Sequence, residues 1–139
     1  METLRFSSMV PLGLVHRAIE DAPLGGHKIP KDTLIFANLH YVHHDPEIWG
    51  DPENFRPERF LSPDSFTVVK HEALMPFSYG KRLCLGESLA KNELFLFITT
   101  LFKTFSVTWD PNGPKPGIEK VDGVVMSPRP HKLVFTERN

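Results

Sequence analysis

Thirteen prolines in a chain of 139 residues set the first limit on what this sequence can fold into. The share is about twice that of an ordinary globular protein. Each proline locks one backbone torsion and removes a backbone donor, so it ends a helix or confines itself to turns and sheet edges. Pro46, Pro52, Pro57 and Pro63 forbid a long helix between Asp45 and Ser65. That stretch reads as a meander, pinned down by Trp49, Phe55 and Phe60. Met9 to Val15, interrupted by Pro11 and Gly13, suits a short extended segment. His27 to Ile29, Pro30 to Asp32 and Thr33 to Phe36 read as strand, turn and strand.

Proline-free patterning returns after Gly86. Ala90, Leu94, Phe97, Ile98, Leu101, Phe102 and Phe105 recur at three- and four-residue steps, which predicts one long buried helix. Lys103 suits its C-terminal end. Ala73 to Leu83 mixes proline, glycine and aromatics and reads as an ordered loop. Beyond Asp110, Val124 to Met126 and Lys132 to Phe135 read as a terminal hairpin. Glu2 to Phe6 reads as the end of a helix too short to stand alone, so Met1 is expected to lie at a boundary within a longer chain. The fold class expected is α+β, rich in coil and short strands. There is no internal repeat.

Composition excludes several functions. Hydrophobic residues make up 40% of the chain, normal for a globular protein. The net charge of −1 offers no basic field for nucleic acid. A single cysteine forbids an intrachain disulfide and a multi-cysteine zinc site. The greasiest run, Leu94 to Phe102, falls well short of the roughly 20 apolar residues that span a bilayer. No basic-then-apolar leader opens the chain. His40, His43, His44 and Asp45 superficially suggest a metal site, but the run into Pro46 and Trp49 reads better as a solvated or hydrogen-bonded loop.

A lone cysteine is ordinarily a small buried hydrophobe. Cys84 has a more specific setting: Pro76-Phe77-Ser78-Tyr79-Gly80-Lys81-Arg82-Leu83-Cys84-Leu85-Gly86. The sulfur stands just before a predicted helix, where unpaired N–H groups stabilise a thiolate, and Arg82 adds positive charge. Gly80 permits a tight turn, Gly86 allows close approach of a bulky group, and Phe77 supplies an apolar wall. Such a setting suits ligation of a soft metal centre.

These residues match Phe-x-x-Gly-x-Arg-x-Cys-x-Gly at every fixed position, and here the chain resembles the cytochrome P450 family. Glu2-Thr3-Leu4-Arg5 resembles the family's Glu-x-x-Arg on its K helix, and Phe55-Arg56-Pro57-Glu58-Arg59-Phe60 resembles the loop that supplies a second arginine. The resemblance covers essentially the whole chain and is closest to the animal microsomal branch, clan 2 in particular. It implies residues 1 to 139 are a partial haem domain, the C-terminal part of a fold that is mainly α as a whole: end of K helix, short hairpins, meander, cysteine loop, long L helix and terminal hairpin. It implies that Cys84 is the axial ligand of haem b iron, with Phe77, Gly80 and Gly86 around it. Arg82 and His16 would meet the haem propionates. Glu2, Arg5 and Arg59 would form a buried structural triad. Val10, Leu12, Leu14 and Val124 would line the substrate pocket. One departure is Asp32, where many members carry glycine; it touches only the local turn.

The activity implied is insertion of one atom of O₂ into a small lipophilic substrate. Electrons would come from NADPH through a flavoprotein reductase docked on a proximal face that includes Lys81, Arg82 and Lys91. The setting implied is the cytoplasmic face of the endoplasmic reticulum membrane, through an anchor outside this chain. Two other readings stand beside it: an isomerase or synthase on the same fold, acting on a peroxide without a reductase, and a truncated haem-binding piece with no activity of its own. Cys84 lacks the Cys-x-x-Cys-His setting of c-type haem attachment.

Overall fold

The computed structural model describes residues 1 to 138. In chain order it comprises α1 (Glu2–Ser7), β1 (His16–Arg17), β2 (Ala22–Leu24), β3 (His27–Ile29), β4 (Leu34–Ile35), α2 (Leu39–His43), α3 (Pro46–Trp49), α4 (Glu87–Thr104), β5 (Phe105–Trp109), β6 (Lys120–Val121), β7 (Ser127–Pro128) and β8 (Leu133–Glu137). Short 3₁₀ turns occupy Pro57–Phe60 and Gly80–Arg82. The strands make four antiparallel ribbons, pairing β1 with β4, β2 with β3, β5 with β8 and β6 with β7. Helix and strand are thus mixed, as expected.

Several pairings differ from the sequence expectation. His27–Ile29 does not turn back onto Leu34–Ile35. It pairs with Ala22–Leu24 across Gly25 and Gly26, whose φ angles of 55° and 81° fit the two-residue turn that matches strand twist. The stretch after Pro30 is claimed instead by Ala18, which donates to Thr33 O at 2.9 Å and accepts from Asp32 N at 2.8 Å. Val124 to Met126 forms no strand; β8 pairs with β5, a β-branched and aromatic run directly after α4. Met9 to Val15 is a turn rather than an extended segment, with Gly13 N donating to Val10 O at 3.3 Å.

The meander does pack down. Trp49, Phe60, Ala73 and Leu74 form the buried core, with Val42 against it. Two caps start the short helices: Asn38 Oδ1 accepts from Tyr41 N at 3.0 Å, and Asp45 Oδ1 accepts from Glu47 N at 2.8 Å with Pro46 beginning the helix. Phe55, expected as a third peg, is exposed.

The largest correction concerns α4. The helix forms where the apolar steps predict, but it buries no residue. Phe97 is 72% exposed, and Leu89, Phe95 and Leu96 on other faces are exposed too. A helix apolar on several sides belongs inside a larger protein. The total surface agrees: a folded monomer of 15.8 kDa would expose roughly 7,300 Å², whereas this chain exposes 11117 Å².

Candidate functional site

Two groups of expected site residues assemble separately. The first lies at α1. Arg5 is fully buried and Glu2 nearly so. Arg5 Nε and Nη2 reach the two carboxylate oxygens of Glu2, while Nη1 donates to His43 O at 2.6 Å and Nη2 also to Pro52 O at 2.8 Å. Glu2 Oε1 accepts further from Arg56 N at 3.0 Å and Arg59 Nε at 3.2 Å. Arg59 then spans to Trp49 O at 2.9 Å and to Asp51 Oδ1 at 3.2 Å. Glu2, Arg5 and Arg59 therefore stand in one network tying α1 to the meander. Burial pushes the Glu2 carboxyl up, but the hydrogen bonds from Arg5 and Arg56 and the charges of Arg5 and Arg59 outweigh it and hold it below its usual value.

The second group is the cysteine loop. Gly80 sits at φ 77°, in the left-handed region, and opens the 3₁₀ turn that carries Arg82. Cys84 N donates to Phe77 O at 3.0 Å, closing the loop, and Glu87 N donates to Cys84 O at 3.3 Å as α4 begins. The thiol is free and exposed. A Cβ on Gly86 would stand 3.8 Å from Cys84 Sγ, so the bare glycine leaves the flank of the sulfur open. Lys91 pairs with Glu87 one turn along and lies 5.7 Å over the Phe77 ring. A groove of about 430 Å³ has Leu4, Met75, Phe77, Tyr79 and Lys91 in its walls, so α1, the loop and α4 face one another.

The other expected site residues lie apart from this loop. His16 is exposed and paired with Ile35 in β1–β4. Leu12, Leu14 and Val124 are exposed and Val10 is half-buried. The segment before Val10 is joined to the one after Val124 through Met126 N donating to Met9 O at 2.7 Å. No bond joins His16 to Arg82 among the described residues.

A haem suits the residues present. The donor is one soft sulfur, exposed and unengaged in a disulfide. Its neighbours are apolar and open: Leu83 and Leu85 are exposed and Phe77 is half-buried. Arg82 has no acidic partner among the described residues, which leaves its guanidinium available to a carboxylate.

One residue takes a role that the sequence reading did not give it. His43, in a run of three histidines, is completely buried, whereas His40 and His44 are partly open. Its Nδ1 lies 3.1 Å from Ser8 Oγ, and its Nε2 accepts Met75 N–H at 3.1 Å. Burial, reinforced by His44, Arg5, His40 and Lys120, pushes it down from 6.5 to about 4. Nothing in the local pattern distinguishes it from His40 and His44; the stretch expected as a solvated or hydrogen-bonded loop is hydrogen-bonded, but as two short helices with this histidine inside.

A buried ion-pair network at one helix end and a free thiol held on a glycine-cornered loop before a long helix are the two side-chain groupings that the fold assembles from the expected site residues. The family model for cytochrome P450 matches residues 1–135, and the chain belongs to that family. It is 43% identical over 138 residues to farnesoate epoxidase of Bombyx mori, covering 99% of this chain and 28% of that protein. It is 41% identical over 138 residues to cytochrome P450 2U1 of Homo sapiens, covering 99% of this chain and 25% of that one. With cytochrome P450 1A2 of Balaenoptera acutorostrata the identity is 46% over 134 residues, covering 94% and 25%. The chain thus spans about a quarter of the length of the relatives it matches. Membership implies haem as cofactor. Among the described residues, no helix is long and apolar enough to cross a membrane.

Proposed function

We propose that residues 1–139 are the C-terminal part of the haem domain of a cytochrome P450 monooxygenase, with Cys84 as the thiolate ligand of the haem iron. The observation that carries the reading is the free thiol of Cys84 at the start of α4, closed into its loop by the bond to Phe77 O at 3.0 Å. In this reading α1 is the end of the K helix, α4 the L helix, the stretch from Asp45 to Ser65 the meander, and the last strands the terminal hairpin.

When bound, haem supplies O₂ activation, one oxygen atom going to a small lipophilic substrate and the other leaving as water with two protons and two electrons drawn from NADPH through a reductase. This chain's residues hold and shield. Cys84 donates electron density through sulfur. Gly80 and Gly86 would leave room for a flat macrocycle, Phe77 would set an apolar wall beside the sulfur, and Arg82 and His16 would neutralise propionates. Val10, Leu12, Leu14 and Val124 offer aliphatic surface to substrate. Lys81, Arg82 and Lys91 supply positive charge for an acidic reductase surface. Glu2, Arg5 and Arg59 hold the meander against the helix that backs the site. The endoplasmic reticulum membrane, through a segment outside these residues, is the setting that fits the similarity to the P450 enzymes above.

The open surface of α4 supports a second statement: the 139-residue chain alone does not turn over substrate. The test is haem reconstitution, followed by the spectrum of the reduced, carbon-monoxide-bound form, with Cys84→Ser beside it. A red-shifted thiolate-type Soret band that disappears in the variant is the expected result. An unshifted band indifferent to the substitution sinks the assignment, and NADPH-dependent turnover by the purified chain with a reductase sinks the statement of inactivity.

A further inference from the structure

One residue links the ion-pair network at α1 to the start of the cysteine loop. His43 engages both ring nitrogens and its backbone carbonyl. Its carbonyl accepts from Arg5 Nη1 at 2.6 Å, its Nδ1 meets Ser8 Oγ at 3.1 Å, and its Nε2 meets Met75 N at 3.1 Å. Ser8 is the left-handed cap of α1, at φ 41°. Met75 opens the cysteine loop: its carbonyl accepts Ser78 N at 3.0 Å, Pro76 follows with its fixed torsion, and Phe77 O then takes Cys84 N at 3.0 Å.

Hydrogen-bond chemistry assigns the ring's protonation state. A backbone N–H only donates, so Nε2 must be bare to receive Met75. A neutral imidazole with a bare Nε2 carries its proton on Nδ1, which therefore donates to Ser8 Oγ. A proton added to Nε2 would oppose the Met75 N–H directly. We propose that His43 is a positioning residue for Cys84: a neutral, Nδ1-protonated strut that holds the start of the cysteine loop on the α1 network. The proposal rests on the haem-thiolate reading of Cys84.

The charged and titratable groups around the ring point the same way. Arg5 from α1, His40 from its own helix, His44 at the end of that helix and Lys120 from β6 all disfavour a positive charge on the ring, as does burial itself. The strut is thus kept neutral from every packed side.

The test uses the full chain, ¹⁵N-labelled, at neutral pH, with hydrogen exchange read at the Met75 amide. The His43 ring is expected to show a bare Nε2 and a protonated Nδ1, and the Met75 amide to be protected. His43→Gln, whose side-chain oxygen reaches the ε position, keeps Met75 exchange within about threefold of the parent. His43→Asn, which keeps only the δ-side donor, raises it at least about tenfold, the size of a lost buried hydrogen bond. In the haem-loaded chain, His43→Asn lowers the share of the thiolate-type Soret band and His43→Gln retains it. Simple destabilisation would not sort the two amides in this order. An Nε2-protonated ring, an unprotected Met75 amide in the parent chain, or equal exchange in the two variants overturns the strut. A protected Met75 amide without any thiolate-type band supports the strut and overturns the haem reading, so the two failures are distinct.

Discussion

Arg5 and Glu2 are joined twice, Nε to Oε2 and Nη2 to Oε1, both at 2.8 Å, and both side chains lie in the interior. At an exposed helix position such an i,i+3 pair would contribute about 0.2–0.5 kcal/mol. Here the pair is out of water, and Glu2 also faces Arg59. Among the described residues Glu2 is the only carboxylate paired with the Arg5 guanidinium; Glu2→Gln removes it, and breaking a buried pair costs about 3–5 kcal/mol. That is a large share of a typical domain's stability of about 5–15 kcal/mol. Urea unfolding should show the midpoint falling accordingly. Arg5→Lys should fail to rescue, because an ammonium cannot reproduce the planar fork that reaches Glu2, His43 O and Pro52 O together. A Lys variant of parental stability would refute the network as described.

Acid should loosen the same region in two stages. His43 titrates near 6.5 when unfolded and at about 4 in the fold. Between these values the unfolded chain binds a proton that the folded chain refuses, so stability declines as pH falls through that window and levels off below it. The full loss is on the order of 3 kcal/mol. Glu2 adds a later loss, since its folded value lies below 4.5 and protonation removes the charge that Arg5 and Arg59 require. The thermal midpoint followed against pH should fall from about pH 6.5 downward. In His43→Gln the upper part of that slope should become shallower, with the contribution of His40 and His44, which burial also lowers, remaining, and the lower part should persist.

Legibility followed the range of the forces involved. Helix α4 was readable because its apolar steps repeat over 18 residues, and the cysteine loop because glycine, arginine and cysteine there leave few conformations that serve the sulfur. The strand partners were not. β3 and β4 read as a hairpin across Pro30–Asp32, but pairing was decided by Ala18, 15 residues before Thr33 O. The Gly25–Gly26 pair is the better hairpin signal, because both glycines take the positive φ that the two-residue turn requires. β5, although its residues Phe105–Trp109 favour strand, hid behind the helix it directly continues. Burial was misjudged for α4 because periodicity reports which faces are apolar, not whether a partner within the chain covers them. His43 was beyond pattern altogether: its importance comes from Ser8 and Met75, 35 and 32 residues away.

Asp32 occupies the left-handed region at φ 68°, in the turn that precedes β4. Its carboxylate meets Arg17 at 3.3 Å, a solvent-exposed pair of little worth. Asp32→Gly should leave thermal stability within about 1 kcal/mol, relief of backbone strain being offset by the greater entropy of the unfolded chain. Asp32→Val should cost about 1–2 kcal/mol, because a β-branched residue resists that region. A valine variant as stable as the parent would mean that the turn is free to rearrange, and its β1–β4 ribbon with it.

The exposed apolar face of α4 makes the reading of residues 1–139 as part of a larger domain testable by contrast. Phe60 is 3% exposed and packs at 5.8 Å from Trp49, so Phe60→Ala should cost about 3–5 kcal/mol in this chain. Phe97 touches mainly solvent here, so Phe97→Glu should change the stability of this chain by no more than about 0.5 kcal/mol and improve its solubility. If α4 is the core helix of a longer haem domain, the same Phe97→Glu substitution there buries a carboxylate without a partner and becomes severely destabilising. Urea unfolding of both substitutions in both contexts separates the cases. A large loss from Phe97→Glu already in the 139-residue chain would mean that the helix finds a partner within it, and a negligible loss in the longer protein would mean that α4 stays on the surface.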